Sequence, residues 1–567
     1  MPSGQELFKF EPPQPIQGYP ELHWAGKHPY NSTQYYPAQC KESHGKAKDG
    51  WMNRLYWGDN KQVMSHLLRE LRGKIDLIYI DPPFDSKADY KKKIEIRGQK
   101  ADSNSTSFEE KQYGDIWTND EYLQFMYERL ILLRELLSDT GSIYLHCDWH
   151  KGHHLRMVMD EVFGLGNFRN EIIWGYRTGG ISKNLFARKH DNLLFYSKTE
   201  DYYFNTQYYR SYQQKKYNFK GVDDLWDEEK QLWYHNSICR DVWEDIYPIG
   251  TENSERLDYP TQKPEALLER IIKASSSPGD LVFDCFMGSG TTQAVTMKLN
   301  RRFIGADINL GAIQTTTKRL LGIVKKLNTK LESNDKYTGF EVYNVNDYNF
   351  FRNPLVAKDL LLEYFEVSPS PKSKYYDGEK DGRMIKVMPV DRICCRADLE
   401  GFLSALPYKT FQKKLVENPN DVTERITLYC MGYESDLQAA LQKELSKYNV
   451  EVEVFDILRQ KKDLELKRDS EADITIHKGK LIIKKFYPRN LMQKLSLQKT
   501  AVKDDWRVLA ESVMVDFYYD GAVLHPTITD IPEKNELVKG EYPIPKDAGT
   551  IRVKITDLLS ESLEKDI

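Results

Sequence analysis

Several things are scarce in this chain of 567 residues, and each scarcity removes a class of protein. Cysteine is rare, with 7 scattered residues and no paired CxxC spacing. That excludes a disulfide-built scaffold and points to reduced thiols in a cytosol. No apolar run reaches the roughly 20 residues that a bilayer-spanning helix needs, and no N-terminal signal pattern is visible. Neither sign of charge dominates: 81 Lys and Arg stand against 85 Asp and Glu, for a formal net charge of -4. A wholly basic nucleic-acid binder is thereby excluded, but a local basic patch is not. What is plentiful is aromatic residues, 12% of the chain with 36 Tyr, within a hydrophobic fraction of 40%. Sizeable cores can form, and the length admits about three or four domains.

The reading turns on Ile75-Asp76-Leu77-Ile78-Tyr79-Ile80-Asp81-Pro82-Pro83-Phe84. The apolar run reads as a buried strand of a parallel sheet. Proline cannot continue a central strand, so the chain leaves the sheet at Pro82. Asp81 and Phe84 then sit at the carboxyl end of a strand, where open α/β sheets bind ligands. A carboxylate that accepts a hydrogen bond beside a flat aromatic face suits a planar ring bearing an amino group, such as a nucleobase. The bland alternative is a proline turn that merely closes a strand.

Around this stretch the chain alternates strand and helix patterns. Residues 1–50 read as an irregular N-terminal arm. Leu55 to Asn60 turns at Gly58-Asp59, with Asn60 a plausible N-cap for a helix carrying Val63, Leu67, Leu68 and Leu71. Residues 85–114 form a polar loop with Lys91, Lys92 and Lys93, whose charge suits phosphate contacts. A helix is expected over 119–138 and strands over 141–146, 171–176 and 191–198. The alternation implies right-handed crossovers and a doubly wound, mostly parallel α/β sheet. His146, His150, His153 and His154 tempt a metal reading, but their ring nitrogens can equally meet backbone groups or water, and no metal is expected. Residues 201–258 break the rhythm. Their tyrosines interleave with Arg210, Lys215 and Lys216, a mix suited to stacking on bases and pairing with phosphates.

A second constellation follows. Thr261-Gln262-Lys263-Pro264 leads into a helix, and the strand Asp280 to Asp284 runs into Cys285-Phe286-Met287-Gly288-Ser289-Gly290-Thr291-Thr292. Glycines there let a ligand approach the backbone, with helix N–H groups exposed beyond. No Lys follows the glycines, so this is not a P-loop, and the pyrophosphate-binding GxGxxG is not matched. A shorter Gly-x-Gly suits a ligand without pyrophosphate. Asp307 ends the next strand, where an acid can hold ribose hydroxyls. One half of the sheet is thus expected to bind a nucleoside-like cofactor, and the Asp81 half an amino-bearing ring.

Taken in order, Gly58-Asp59-Asn60, Asp81-Pro82-Pro83-Phe84, Thr261-Gln262-Lys263-Pro264 and Phe286-Met287-Gly288-Ser289-Gly290 resemble the permuted β group of S-adenosylmethionine-dependent DNA amino-methyltransferases. The likeness covers roughly residues 50–325 and is closest to Mod-like subunits of restriction–modification or related defence systems. It implies a Rossmann-like methyltransferase fold and S-adenosyl-L-methionine as cofactor. It places the reaction at Asp81, Pro82, Pro83 and Phe84, with a base flipped out of double-stranded DNA. Asp284, Phe286, Gly288, Ser289, Gly290 and Thr291 would line the methionine moiety, Asp307 the ribose, and Asp59 and Asn60 the region of the adenine. Thr261, Gln262, Lys263 and Pro264 would close the pocket. Asp rather than Ser at position 81 resembles the adenine-N6 enzymes more than the cytosine-N4 ones. Cytosine-N4 transfer and a non-catalytic DNA-binding subunit are the alternatives. A homodimer, a helicase or nuclease partner, and a prokaryotic cytoplasmic, nucleoid-associated location are further implications.

The expected divisions are an arm (1–50), a catalytic half (51–200), a target-recognition region (201–258), a cofactor half (259–330), a connector (331–382) and a separate α+β domain (383–567). The segment 201–258 is short for a full recognition domain, so the 85–114 loop or the C-terminal region is expected to share DNA contacts. Hairpin signals at Lys478-Gly479 and Asp520-Gly521 mark the last domain.

Overall fold

The computed structural model describes residues 7–13, 18, 20–83, 89–95, 107–114, 119–176, 183–218, 220–250, 253, 255–257, 259, 261–329, 336–345, 358, 361–362, 365–369, 375–388, 394, 396–419, 421–430, 437–457, 470–497, 505–533 and 536–567. The chain divides into two compact units: Met1–Lys92, Gly114–Asp307 and Gly311–Val345 form the first, and Lys93–Tyr113, Ile308–Leu310 and Asn346–Ile567 the second.

The first unit is built on a ten-stranded sheet. Its strands are β1 (Ala38–His44), β2 (Asn53–Trp57), β3 (Ile75–Ile80), β4 (Leu137–Cys147), β5 (Phe168–Gly175), β6 (His190–Ser197), β7 (Val242–Trp243), β8 (Leu281–Asp284), β9 (Arg302–Asp307) and β10 (Phe340–Val345). Their spatial order is β7-β5-β6-β4-β3-β8-β9-β2-β10-β1. Six of the nine neighbouring pairs are parallel, and the central run from β4 to β10 is wholly so. The helices are α1 (Asn60–Leu71), α2 (Asn119–Leu136), α3 (Gly152–Phe163), α4 (Glu265–Ser275), α5 (Thr291–Lys298) and α6 (Leu310–Thr329).

The sheet is covered on both faces because its central strands are apolar on both. In β3, Ile78 and Ile80 pack with Val63 and Leu67 of α1, Met126 and Leu130 of α2 and Leu155 of α3. Leu77 and Tyr79 face the other way, against Leu267, Leu268, Ile271 and Ile272 of α4. This is the doubly wound arrangement that the strand–helix alternation predicts. The 3.6-residue spacing of those leucines and isoleucines puts them on one stripe of each helix.

Four local expectations need correction. β6 lies antiparallel to both β4 and β5, so no helical crossover joins β5 to β6. The connecting residues lack helical periodicity, and a short return can only be antiparallel. The N-terminal residues are not all irregular: Leu7–Lys9 pairs with Ser32–Gln34, β1 closes one edge of the sheet, and Phe10, Trp24 and Tyr30 enter the core. Aromatics embedded among Pro and Gly supplied burial without periodicity. Within the polar segment 85–114, Asp89–Glu95 and Ser107–Gly114 are strands of a two-stranded sheet rather than loop, and Lys91, Lys92 and Lys93 fall on the first. The helix cap is Asp59, not Asn60: its side chain accepts from the backbone N–H groups of Lys61 and Gln62.

Within 201–258, Tyr208–Gln213, Leu225–Asp227 and Leu232–Ile238 form a separate three-stranded antiparallel sheet. In the second unit, Ser368–Pro369, Gly378–Lys380, Arg383–Val387, Glu424–Cys430 and Val450–Asp456 form a five-stranded sheet whose last three strands are parallel. Three- and four-stranded sheets follow, the first containing the hairpin turned at Lys478-Gly479, both residues having positive φ. Among the described residues no helix is long and apolar enough to cross a membrane.

Candidate active site

Parallel strands point their carboxyl ends to one edge, and here that edge collects acids. Phe283 of β8 registers with Ile78 of β3, Asp284 with Gly305 of β9, and Asp307 with Trp57 of β2. Asp81, Asp284, Asp307 and Asp59 therefore leave four adjacent strands at the same edge.

Among the described residues Asp81 is held by Lys263. Lys263 Nζ donates to its Oδ2 at 2.5 Å, and both side chains are largely buried. Its Oδ1 is buried and accepts no hydrogen bond. Pro82 is buried and Pro83 half-buried, while Phe84 lies outside the described residues.

Asp284 organises the turn after β8. Its Oδ1 accepts from Phe286 N at 2.9 Å, and its Oδ2 from Thr292 Oγ1 at 2.6 Å. The side chain is 2% exposed. Burial pushes the carboxyl up to about 7, with the charges of Asp81 and Asp307 acting in the same direction against those two hydrogen bonds. The turn closes through Gly290 N donating to the Met287 carbonyl at 2.8 Å, and α5 starts at Thr291. Gly288 and Gly290 have φ of +50° and +70°, in the left-handed region. A Cβ on Gly290 would lie 2.4 Å from Thr316 Oγ1 of α6, so backbone and packing both require glycine there. Asp307 Oδ2 accepts from Gly288 N at 2.9 Å, joining the ends of β8 and β9.

Asp59 and Asn60 are fixed by a residue that no sequence motif singled out. Arg129 of α2 is 5% exposed; it donates from Nη2 to Asp59 Oδ2 at 2.9 Å and from Nε to Asn60 Oδ1 at 2.5 Å. Asn60 Nδ2 then donates to the Cys285 carbonyl at 3.2 Å. The guanidinium lies 3.4 Å from the Phe125 ring centroid, and Phe125 meets Phe286 at 6.2 Å. An arginine inside the apolar stripe of α2 was the available signal.

Thr261 takes φ +60°, and the Gln262 amide donates to the Glu255 carbonyl and accepts from Leu257 N. Pro264 precedes α4. Thr291 Oγ1 donates to the Lys263 carbonyl at 3.2 Å and lies 3.2 Å from Ser289 Oγ. So the Thr261–Pro264 arm is brought together with both the glycine turn and Asp81.

A buried polar chain underlies Asp81. Tyr79 Oη meets His146 Nδ1 at 2.8 Å, and His146 Nε2 meets Asp191 Oδ2 at 3.2 Å. Tyr176 Oη donates to Asp191 Oδ1 at 3.3 Å. Burial alone would raise the Asp191 carboxyl, but His146 outweighs it, with help from the Lys263 charge, and holds it below its ordinary value. His146 is thus committed to neighbours on both nitrogens. His150 pairs with Asp148, and the His153 ring lies tilted against that of His154, centroids 4.0 Å apart.

On the satellite sheet, Arg210 pairs with Asp227 and lies over Tyr234, and Lys216 lies over Trp233. Lys215 is exposed, and Tyr208, Tyr217 and Trp226 are exposed alongside.

A family profile described as DNA methylase (N6_N4_Mtase) matches residues 75–318. The type II methyltransferase M.EcaI of Enterobacter cloacae is 28% identical over 384 residues, covering 56% of this chain and 82% of that protein. The type II methyltransferase M1.MboII of Moraxella bovis is 31% identical over 252 residues, 41% of this chain and 85% of that one. The DNA adenine methyltransferase YhdJ of Escherichia coli (strain K12) is 28% identical over 248 residues, 43% of this chain and 76% of its own length.

Proposed function

This chain belongs to the DNA methylase family, and from that premise we propose that it is a site-specific DNA methyltransferase acting on the N6 amino group of adenine, with S-adenosyl-L-methionine as methyl donor. The observation that carries the reading is Asp81 Oδ1, a buried carboxylate oxygen without a hydrogen-bond partner, on the same sheet edge as the Gly288–Gly290 turn. The adenine assignment draws on Asp at position 81 and on a relative named as an adenine methyltransferase.

The residues fit the cofactor. The turn offers backbone at two left-handed glycines ahead of a helix N-terminus, and no lysine directly follows the glycines as it does in a P-loop. Ser289, Thr291 and the Thr261–Pro264 arm would hold its methionine end, with Asp284 and Phe286 bracing the turn, Asp307 toward the ribose, and Asp59 and Asn60 toward the adenine. When bound, the cofactor supplies an electrophilic methyl group on its sulfonium.

The chain's own task is to make a poor nucleophile attack. The amino nitrogen of adenine shares its lone pair with the ring. Asp81 Oδ1 and the Pro82 carbonyl accept its two hydrogens and favour a more tetrahedral nitrogen. Phe84 provides the face on which the flipped base stacks. Holding donor and acceptor in line supplies much of the rate. The proton can leave after transfer, so Asp81 need not be a strong base.

The substrate is double-stranded DNA, gripped by Lys91, Lys92 and Lys93 and by Arg210, Lys215 and Lys216 on the satellite sheet. We propose further that the enzyme works as a homodimer alongside a helicase or nuclease subunit of a restriction or defence system. Digesting DNA treated with the enzyme and cofactor, and weighing the nucleosides, tests the chemistry. N6-methyldeoxyadenosine is expected; N4-methyldeoxycytidine would overturn the base assignment, and no methylated nucleoside the whole reading.

A further inference from the structure

We infer that Lys263 is a positioning residue, which ties the glycine turn to the Asp81 carboxylate so that loop and carboxylate are set together. The inference rests on the methyl-transfer reading of the site and assigns Lys263 a task beyond closing the cofactor pocket.

Lys263 reaches in two directions. Its ammonium donates to Asp81 Oδ2 at 2.5 Å, and its carbonyl accepts from Thr291 Oγ1 at 3.2 Å. The second contact belongs to a closed ring. Arg319 Nη1 donates to the Ser289 carbonyl at 3.2 Å and to Thr291 Oγ1 at 3.0 Å, and its Nη2 donates to Glu265 Oε1 at 2.9 Å. Glu265 follows Pro264 and begins α4, which returns the ring to Lys263. Upstream, the Gln262 side chain clamps the arm to Glu255 and Leu257. The backbone at Lys263 is therefore anchored from both sides, and the ammonium has a fixed origin.

The consequence falls on Asp81. A carboxylate held at neither oxygen rotates about two side-chain bonds. A charge-assisted bond to Oδ2 sets the plane of the group and hence the direction of Oδ1, the oxygen that has no partner. A Lys side chain held in one conformation gives up rotamer freedom, which the charge-assisted bond to Oδ2 offsets. Because Thr291 holds the Lys263 carbonyl, a change at the turn is passed to the ammonium and on to Asp81.

The test uses the full-length protein with S-adenosylmethionine and double-stranded DNA. Loss of a charge-assisted hydrogen bond predicts that Lys263→Met lowers kcat by roughly 10- to 150-fold. The loss is expected to persist at saturating cofactor, and Lys263→Arg to recover most of the rate. In a thermal-stability cycle, Asp81→Asn and Lys263→Met should be non-additive, since each removes the same pair. A Lys263→Met enzyme with kcat within about twofold of the parent, or one whose loss appears only as weaker cofactor binding, overturns the proposal. So do additive stabilities. If the parent enzyme itself methylates no DNA, the functional reading fails, while the stability cycle still reports on the Lys263–Asp81 pair.

Discussion

Asp284 makes cofactor binding depend on pH in a way that one substitution should abolish. Its carboxyl is buried at the base of the glycine turn and is pushed up to about 7. A raised carboxyl pKa means that the folded chain holds the proton more tightly than the unfolded one. The stability this gives is complete below the unfolded value near 4 and is lost as pH rises toward 7. A sulfonium bound at the turn prefers the ionised form and must expel that proton. With a pKa of about 7, about 3% of molecules are ionised at pH 5.5 and about half at pH 7, so cofactor affinity should rise roughly fifteenfold across that interval. Asp284→Asn keeps the shape: its carbonyl can accept from Phe286 N, and the Thr292 hydroxyl can turn to accept from the amide. Calorimetric titration of both proteins from pH 5.5 to 7 is the assay. The parent should show the rise, and Asp284→Asn a flat profile at weaker affinity. A flat parent profile, or one that the substitution leaves unchanged, refutes the assignment of Asp284 to the cofactor side.

Arg129 is buried and pairs with the half-buried Asp59, whose other oxygen caps α1, so Arg129→Met removes the ion pair at Asp59 Oδ2 and the bond to Asn60. A loss of about 1.5–3 kcal/mol in unfolding free energy is expected by denaturant titration, and a loss under about 0.5 kcal/mol would deny it a structural role. On the satellite sheet, Lys215→Ala with Lys216→Ala should weaken DNA binding equally across sequences. The slope of log affinity against log salt should then flatten by roughly one for each phosphate that is no longer neutralised; an unchanged slope places DNA elsewhere.

Strands were the most legible part of this chain. Ile75–Ile80 and Leu281–Asp284 are mostly apolar runs cut by Pro82 and by Gly288, and a run buried on both faces identifies itself. The order of the site was legible too, because acids stand at strand ends and parallel strands must share an edge. What failed was whatever depends on partners distant in sequence. Asp59 rather than Asn60 caps α1 because Asn60 is drawn away to Arg129 and Cys285. Lys263 looked like part of a loop beside a cofactor, and nothing near it in the chain announces a carboxylate 182 residues earlier. His146 is buried between Tyr79 and Asp191, and both partners lie far from it in the chain. Burial of Trp24 and Phe10 in the first fifty residues left no periodic trace, since isolated aromatics anchor irregular chain as well as regular elements.

The account stands on a division of labour along one sheet edge, with the methyl donor at Gly288–Gly290 and the amine at Asp81. Asp81→Ala tests it most directly, with cofactor affinity and methyl transfer measured on the same preparation. The account predicts S-adenosylmethionine binding close to that of the parent and methyl transfer to DNA reduced to background. Full transfer by this variant, or loss of cofactor binding in step with loss of transfer, would contradict it.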